Sequence, residues 1–227
     1  MKKLSIIHYL SMFLIVLSIG MSIVFYMKSD HFDSPIIKFE FAQSSHDINS
    51  LFYQKDEFKS NDFYGVQNQN YLDYLFMIIY SFLLVSAFLN IYKIEKKRIF
   101  KFGIFLSTFA LFFDVLENIK MFKISELLIQ ENDFSHLIPK LFYFTRIKWL
   151  ILALSFLLLS LHYFKYQTIG KLFAILSSFP IFLGTLVLFS VIDTFEIFSF
   201  SVMIGFLQIM IWSFISYRID RNISFYK

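Results

Sequence analysis

The chain has 227 residues, of which 57% are hydrophobic, 21% aromatic and only 17% charged. Its 33 phenylalanines and mean hydropathy of +0.63 exceed what one water-soluble core of this length could bury, so the composition excludes an ordinary soluble domain. The absence of cysteine excludes disulfides, thiol nucleophiles and cysteine-ligated zinc, and the formal charge of +4 does not indicate nucleic-acid binding because basic residues flank apolar runs.

The N-terminal stretch is basic at Met1–Lys3 and then apolar over residues 4–27. The hydrophobic part of a signal peptide spans about 7–15 residues, whereas this run is long enough to cross a bilayer. A signal peptide with a small-residue cleavage site at Ser18–Gly20 is the alternative. The length of the run favours an uncleaved first transmembrane helix.

Residues 28–70 form the one long polar segment, and they are interpreted as a covering segment on the outer face. Within this segment, residues 36–41 partly alternate between apolar and polar, which predicts an extended piece. Ser44 and Asp47 resemble a capping box, which predicts a short amphipathic helix over about 45–54, lying on the membrane surface or on the bundle. The polar residues that follow predict a loop.

Five further apolar runs are each near or above the roughly 20 residues that a helix needs to span the hydrocarbon core. These runs are 71–92, 100–122, 141–164, 170–192 and 197–217. Pro139 predicts a helix start and Pro180 a kink, while the short connection at 193–196 predicts an antiparallel helix pair. The sequence therefore predicts an all-α polytopic bundle of six transmembrane helices, forming one membrane domain over residues 1–227.

The orientation follows from the basic residues. The loop at 93–98 carries four of them and is the strongest marker of a cytoplasmic side. With the N-terminus inside, both termini are cytoplasmic, and Glu95 and Asp220 are the two acidic residues on the inner side. The outer half is acidic, so any chemistry is expected there.

Polar residues inside the predicted helices mark a candidate site. Asp114, Glu117 and Asn118 have i, i+3, i+4 spacing, so they project from one helical face. The topology brings Asp73 and Lys148 to a similar depth, and Tyr80 shares a helical face with Asp73. Ionisable groups at membrane depth are costly and usually face the protein interior or a water-filled cavity. Carboxylates in excess of Lys148 would have to be protonated, hydrated, or bound to a cation or a basic ligand group.

Two stripes on the third predicted helix and one on the fourth indicate which faces are buried. On the third helix, the stripe expected to face other helices is Gly103, Ser107, Ala110, Asp114, Glu117 and Met121, and the stripe expected to face lipid is Phe105, Phe109, Phe112 and Leu116. On the fourth helix, Thr145, Lys148, Ser155 and His162 share a face. Arg146 points nearly the opposite way, and Tyr143 and Trp149 fit an interfacial aromatic belt.

Four short motifs together resemble an uncharacterised group of small multi-pass bacterial membrane proteins. They are F-E-x-A at 39–42, L-D-Y-x-F-x-x-x-Y at 72–80, D-x-x-E-N at 114–118 and K-W at 148–149. The resemblance covers roughly residues 36–150 and implies a location in the bacterial cytoplasmic membrane. It implies one recurring arrangement of Phe39, Glu40, Asp73, Tyr80, Asp114, Glu117, Asn118 and Lys148, which adds Glu40 to the candidate ligand-binding residues. It implies no activity, cofactor or oligomeric state.

Three functions remain open from the sequence. The first is binding or transport of a cation, a lipid headgroup or a small polar solute at the acidic and lysine cluster. The second is a structural or partner-binding membrane subunit whose charges staple helices together. The third is an enzyme acting on a lipid-type substrate, with a carboxylate as general base and Lys148 or Arg146 holding phosphate. No H-x-x-x-H pair, G-x-S-x-G or Walker-type loop occurs, so no metal site is predicted, and the expected partners are the bilayer and a small ligand.

Overall fold

The computed structural model describes residues 35–54, 57–166, 168–188 and 195–225, together with Tyr9, Met12, Phe13 and Val16. Its elements are α1 (Pro35–Glu40), α2 (Ser45–Phe52), β1 (Tyr53–Gln54), β2 (Glu57–Phe58), α3 (Ser60–Glu95), α4 (Ile99–Ile129), α5 (Ile138–Tyr163), α6 (Thr168–Leu188) and α7 (Phe195–Phe225). A 3-10 turn at Ser135–Leu137 leads into α5. The predicted first helix over 4–27 lies outside the described residues, apart from those four positions.

The all-α prediction is confirmed, and the chain is a membrane helix bundle. Four helical segments are long and apolar enough to cross a membrane: Ser60–Glu95, Ile99–Ile129, Ser135–Tyr163 and Thr168–Val187. The apolar part of α7 over Ile197–Ser213 is shorter than these. The described residues therefore contain four candidate spans, and the predicted total of six remains a prediction.

Two predictions in the covering segment are wrong. Residues 36–41 were expected to be extended, but Pro35–Glu40 forms the helix α1. Phe39 and Phe41 are buried in two different hydrophobic clusters. In a strand these two side chains would point to the same side, whereas in a helical turn they point in different directions. The predicted loop before residue 71 is also largely wrong, since α3 already begins at Ser60 and buries Phe63 and Val66.

The short amphipathic helix is confirmed as α2. The Ser44 side chain accepts a hydrogen bond from the Asp47 amide at 3.2 Å, and the Asp47 carboxylate accepts one from the Ser44 amide at 2.9 Å. This is the reciprocal capping box that the sequence predicted. Ile48 and Phe52 are buried on the bundle, so α2 packs on protein along that face.

Removing the N-cap hydroxyl is expected to loosen α2. Ser44→Ala should cost about 1 kcal/mol of local stability, because the Asp47 amide then loses its acceptor. Hydrogen exchange of the amides in 45–52 should accelerate about fivefold. Ser45→Ala is the matched control, since that hydroxyl takes no part in the capping box. Equal acceleration in both variants would show that the cap does not hold this helix.

Neighbouring helices along the chain pack against one another, with α4 between α3 and α5. The Ser177 hydroxyl of α6 donates to Gln208 Oε1 of α7 at 2.7 Å, and Gly184 lies against the ring of Phe198. Because residue numbers rise on α6 as they fall on α7, this pair is antiparallel, as predicted. Pro139 lies in the first turn of α5, also as predicted, and α6 continues through Pro180.

Two hydrophobic clusters divide the described part of the bundle. The larger is formed mainly by α3 to α7 and includes Leu83, Phe88 and Phe156. The smaller includes Ile48 and Phe63, and joins the covering segment to the adjoining ends of α3, α4 and α5. The polar candidate residues lie where these clusters meet. The covering segment is thus fixed above them by apolar packing of its own.

Candidate functional site

Lys148 of α5 is at the centre of a group of carboxylates. Its Nζ lies 2.5 Å from Glu117 Oε2, 3.2 Å from Asp114 Oδ1 and 3.2 Å from Glu40 Oε2. The side chains of all four residues are at most 5% exposed. We call this group the acidic cluster. The sequence explains it in part, because Asp114 and Glu117 share the buried face of α4 with Gly103, Ser107 and Ala110.

Helix α3 adds a second layer to the acidic cluster. The Tyr80 hydroxyl donates a hydrogen bond to Asp114 Oδ2 at 2.5 Å. Asn118 Nδ2 donates to Asp73 Oδ2 at 2.7 Å, which places Asp73 beside the same face of α4. Tyr80 is buried, whereas Asp73 is only partly buried. Asp73 therefore lies towards one edge of the cluster.

Glu40 reaches the cluster from the covering segment. Its carboxylate Oε2 accepts a hydrogen bond from Trp149 Nε1 at 3.1 Å in addition to the contact with Lys148. The Thr145 hydroxyl is 3.0 Å from the Glu40 carbonyl oxygen and 2.7 Å from Glu117 Oε1, so it bridges cover and bundle. Burial raises the pKa of the Glu40 carboxyl, although Lys148 opposes that shift. Glu40 thus links α1 to α5 through its contacts with Lys148 and Trp149.

All seven candidate residues come together in the structure: Glu40, Asp73, Tyr80, Asp114, Glu117, Asn118 and Lys148. Sequence reasoning missed Trp149, which was expected in an interfacial belt but is only 7% exposed. It is buried because its indole N–H finds a carboxylate partner inside. Tyr143, from the same predicted belt, is 62% exposed.

The predicted stripes are confirmed. All six residues of the small-and-polar stripe on α4 are buried, and Thr145, Lys148, Ser155 and His162 are buried on α5. Phe105, Phe109 and Phe112 are exposed to the surroundings of the bundle, and Leu116 is partly buried. The helical period alone was enough to find these faces.

A second charged group lies near the other ends of α3 and α5. Glu95 contacts Lys165, and its Oε1 is 2.6 Å from His162 Nδ1. Because these residues are far along both helices from Asp73 and Lys148, the group is separate from the acidic cluster. It ties the end of α3 to the end of α5.

The acidic cluster has more acids than bases. Glu40, Asp114 and Glu117 contact one ammonium, that of Lys148, and Asp73 lies beside them. No other basic side chain in the described part of the chain is within ion-pair distance of these carboxylates. Within the same residues, no group of three histidine, cysteine or acidic side chains is arranged to hold a metal ion. Lys148 itself takes the position between three of the carboxylates. The arrangement is suited to hold positive charge in an apolar setting.

Comparison with known proteins finds no matching family model, no matching curated protein and no matching solved structure. The resemblance to small bacterial membrane proteins, based on four motifs, therefore stays a prediction. The contacts of the acidic cluster are the basis on which function is inferred.

Proposed function

We propose that this membrane protein binds or transports a small cation at the acidic cluster. One observation carries the proposal: four carboxylates are grouped around a single lysine. Glu40, Asp114 and Glu117 contact Lys148, and Asp73 lies beside them through its hydrogen bond with Asn118. If all were ionised, four negative charges against one positive charge would leave three unbalanced in surroundings where charge is costly. Protons or another small cation would remove that cost.

The size of the ligand is limited by how tightly the cluster is covered. Lys148, Asp114 and Glu117 are each at most 5% exposed, and Glu40 is held over them by Trp149 and Thr145. A lipid headgroup would need the whole covering segment to lift. A proton or a small ion needs only local rearrangement, so the geometry favours the small cation among the ligands that the sequence left open.

The covering segment is the natural gate of such a site. Its residues 35–54 pack on the bundle through Phe39 and Ile48, and its one contact with the cluster through a charged side chain, within the described chain, is made by Glu40. Movement of α1 would withdraw one of the carboxylates that contact Lys148 and expose the rest. As part of the proposal, this gate lies on the outer face of a bacterial cytoplasmic membrane, with six spans and both termini inside.

The proposal predicts that the carboxylates, and not charge in general, give the protein its response to cations. Purified protein in lipid nanodiscs should unfold at a higher temperature as Na⁺, K⁺, Mg²⁺ or H⁺ is titrated, because a ligand that binds only the folded state stabilises it. Asp114→Asn and Glu117→Gln should fold and lose the response to the active ion.

Glu126→Gln is the matched control for that titration. Glu126 is on the same helix but is 52% exposed, and it pairs with Lys123 at 2.7 Å. It should respond to cations like the unchanged protein. The proposal fails if the unchanged protein responds to no cation, or if Glu126→Gln loses the response as fully as the cluster variants.

A structural role is the second candidate function, and the three contacts of Lys148 favour it specifically. One ammonium joins α1, α4 and α5, as a staple between helices would. In this case Asp114→Asn would lower the unfolding temperature by the same amount with and without added cations. The titration above therefore separates a binding site from a staple.

A further inference from the structure

A line of buried polar side chains continues from the acidic cluster along the contact between α3 and α4. Asn70, Asn118 and Ser125 are at most 2% exposed. Within the described residues, no hydrogen-bond partner is found for Asn70 Oδ1 and Nδ2, Asn118 Oδ1 or Ser125 Oγ. Four polar atoms without partners in one small region are unusual, because native proteins leave few buried polar groups unsatisfied.

These side chains lie on facing surfaces of two antiparallel helices. On α3, Asn70, Asp73 and Tyr80 are spaced by three and seven residues and share one face. On α4, Ser125 and Asn118 share a face in the same way. The hydrogen bonds Asn118 to Asp73 and Tyr80 to Asp114 set the register, which places Asn70 between the levels of Met121 and Ser125. We call the strip between the two faces the α3–α4 seam. From Asn70 to Tyr80 it is about 15 Å long.

The chemistry of the seam identifies water as the molecule that satisfies it. A bare cation can accept electron pairs from Asn118 Oδ1 and Ser125 Oγ, but it cannot accept the hydrogen bonds that Asn70 Nδ2 offers. Water donates and accepts, and buried waters typically make about three hydrogen bonds to such groups. A row of waters also carries protons and hydrated ions, which a dry apolar contact does not.

The outer end of the seam leads towards an acidic opening. Leu128, one helical turn beyond Ser125 on the same face, lines a cavity of about 530 Å³ with Glu131 and Asp133. Hydrogen bonds from the amide and hydroxyl of Ser135 lower the pKa of Asp133, so that carboxylate is charged at neutral pH. An acidic mouth concentrates cations.

The other direction is much less polar. Beyond Asp114, the next polar side chain on this face of α4 is Ser107, whose hydroxyl donates to its own helix at the Gly103 carbonyl oxygen, 2.8 Å away. Ser155 of α5 does the same to the Ile151 carbonyl oxygen at 2.9 Å. On α3, Ser81 Oγ is buried without a partner, but within the described residues α4 and α5 add no unsatisfied side-chain atom on this side of the cluster. The polar line is therefore interrupted in this direction.

We propose that the α3–α4 seam is a hydrated access route by which small cations reach the acidic cluster from the acidic cavity beside α2. The proposal rests on the proposed function, since it supplies the path to that binding site. It assigns Asn70, Ser125 and Asn118 to holding water along the path. It also makes the cluster accessible from one side only.

The natural absence of cysteine allows a direct test with Ag⁺, a small cation that blocks thiols and travels only where water does. Ser125→Cys and Ser107→Cys place single thiols on the same buried face of α4. Each protein, in nanodiscs open to both sides, is exposed to silver nitrate, unfolded in detergent and titrated with a fluorescent maleimide. Ser125→Cys should lose its labelling, and Ser107→Cys should keep it.

Asn70→Cys provides a second thiol in the seam should Ser125→Cys not fold, and it should also be blocked. Protection of both seam thiols, or equal loss at Ser107→Cys, would overturn the one-sided route. The result is independent of the cation titration. If the seam thiols are protected and Asp114→Asn loses the cation response, the access route is contradicted and the binding site is supported. If the seam thiols are blocked and the unchanged protein shows no cation response, the seam is hydrated but the proposed function is contradicted.

Discussion

Lys148→Met is expected to lower the free energy of unfolding by about 3–5 kcal/mol, the cost of removing one partner from a buried ion pair. Methionine nearly matches the volume of the lysine stem but leaves the carboxylates of Glu40, Asp114 and Glu117 without their shared cation. The effect should be visible as a large shift in the detergent concentration needed to unfold the protein, followed by circular dichroism.

Arg146→Met is the control for that experiment. Arg146 is on the same helix two residues away, but it is only partly buried, and its guanidinium lies 3.7 Å from the centroid of the Phe142 ring. Its replacement should cost at most about 1 kcal/mol, the range of an exposed cation–π contact. A similar loss in both variants would mean that Lys148 matters as a charge on α5 and not through the acidic cluster.

The contrast between Lys148 and Glu40 follows from the same charge imbalance. Removing the lysine leaves several carboxylates together, whereas removing Glu40 leaves Lys148 with Asp114 and Glu117. We therefore expect the loss of Glu40 to destabilise the protein less than the loss of Lys148. This asymmetry is what the proposed gate requires, because the covering segment would have to leave and return without unfolding the bundle.

Local patterns in the sequence predicted the parts of this structure that depend on local physics. The capping box at Ser44 and Asp47 sets the start of α2 through contacts within one turn. The helical period on α4 predicted that Asp114 and Glu117 would face inward, because burial of one face is common to all such helices.

What the sequence could not predict depends on contacts between distant segments. Glu40 and Lys148 are 108 residues apart, and only the resemblance pointed to Glu40. The helix α1 was missed because Phe39 at its end and Phe41 just beyond it are buried in different clusters. The contact of Trp149 with Glu40 was missed because an indole in a membrane helix is equally compatible with the interface and with a buried partner.

The acidic cluster also depends on the close approach of α3 and α4. Gly103 of α4 lies directly against the ring of Phe88 on α3, and a Cβ added at Gly103 would overlap that ring. Phe88 is fully buried, so moving its ring aside would disturb the residues packed around it. Small residues at such crossings let membrane helices pack tightly, and this contact fixes the register in which Tyr80 meets Asp114.

Gly103→Ala is therefore expected to destabilise the bundle by about 1–3 kcal/mol, the usual cost of overpacking, even though alanine favours helix more than glycine does. Gly65→Ala is the matched control within α3, since a Cβ added there meets nothing within 4 Å. It should be neutral or stabilise by up to about 1 kcal/mol, because only the helix propensity changes. Unfolding should thus need less detergent for Gly103→Ala, and the same amount or more for Gly65→Ala. Adding Phe88→Leu should recover part of the loss in Gly103→Ala, and no recovery would mean that the ring is not the obstacle.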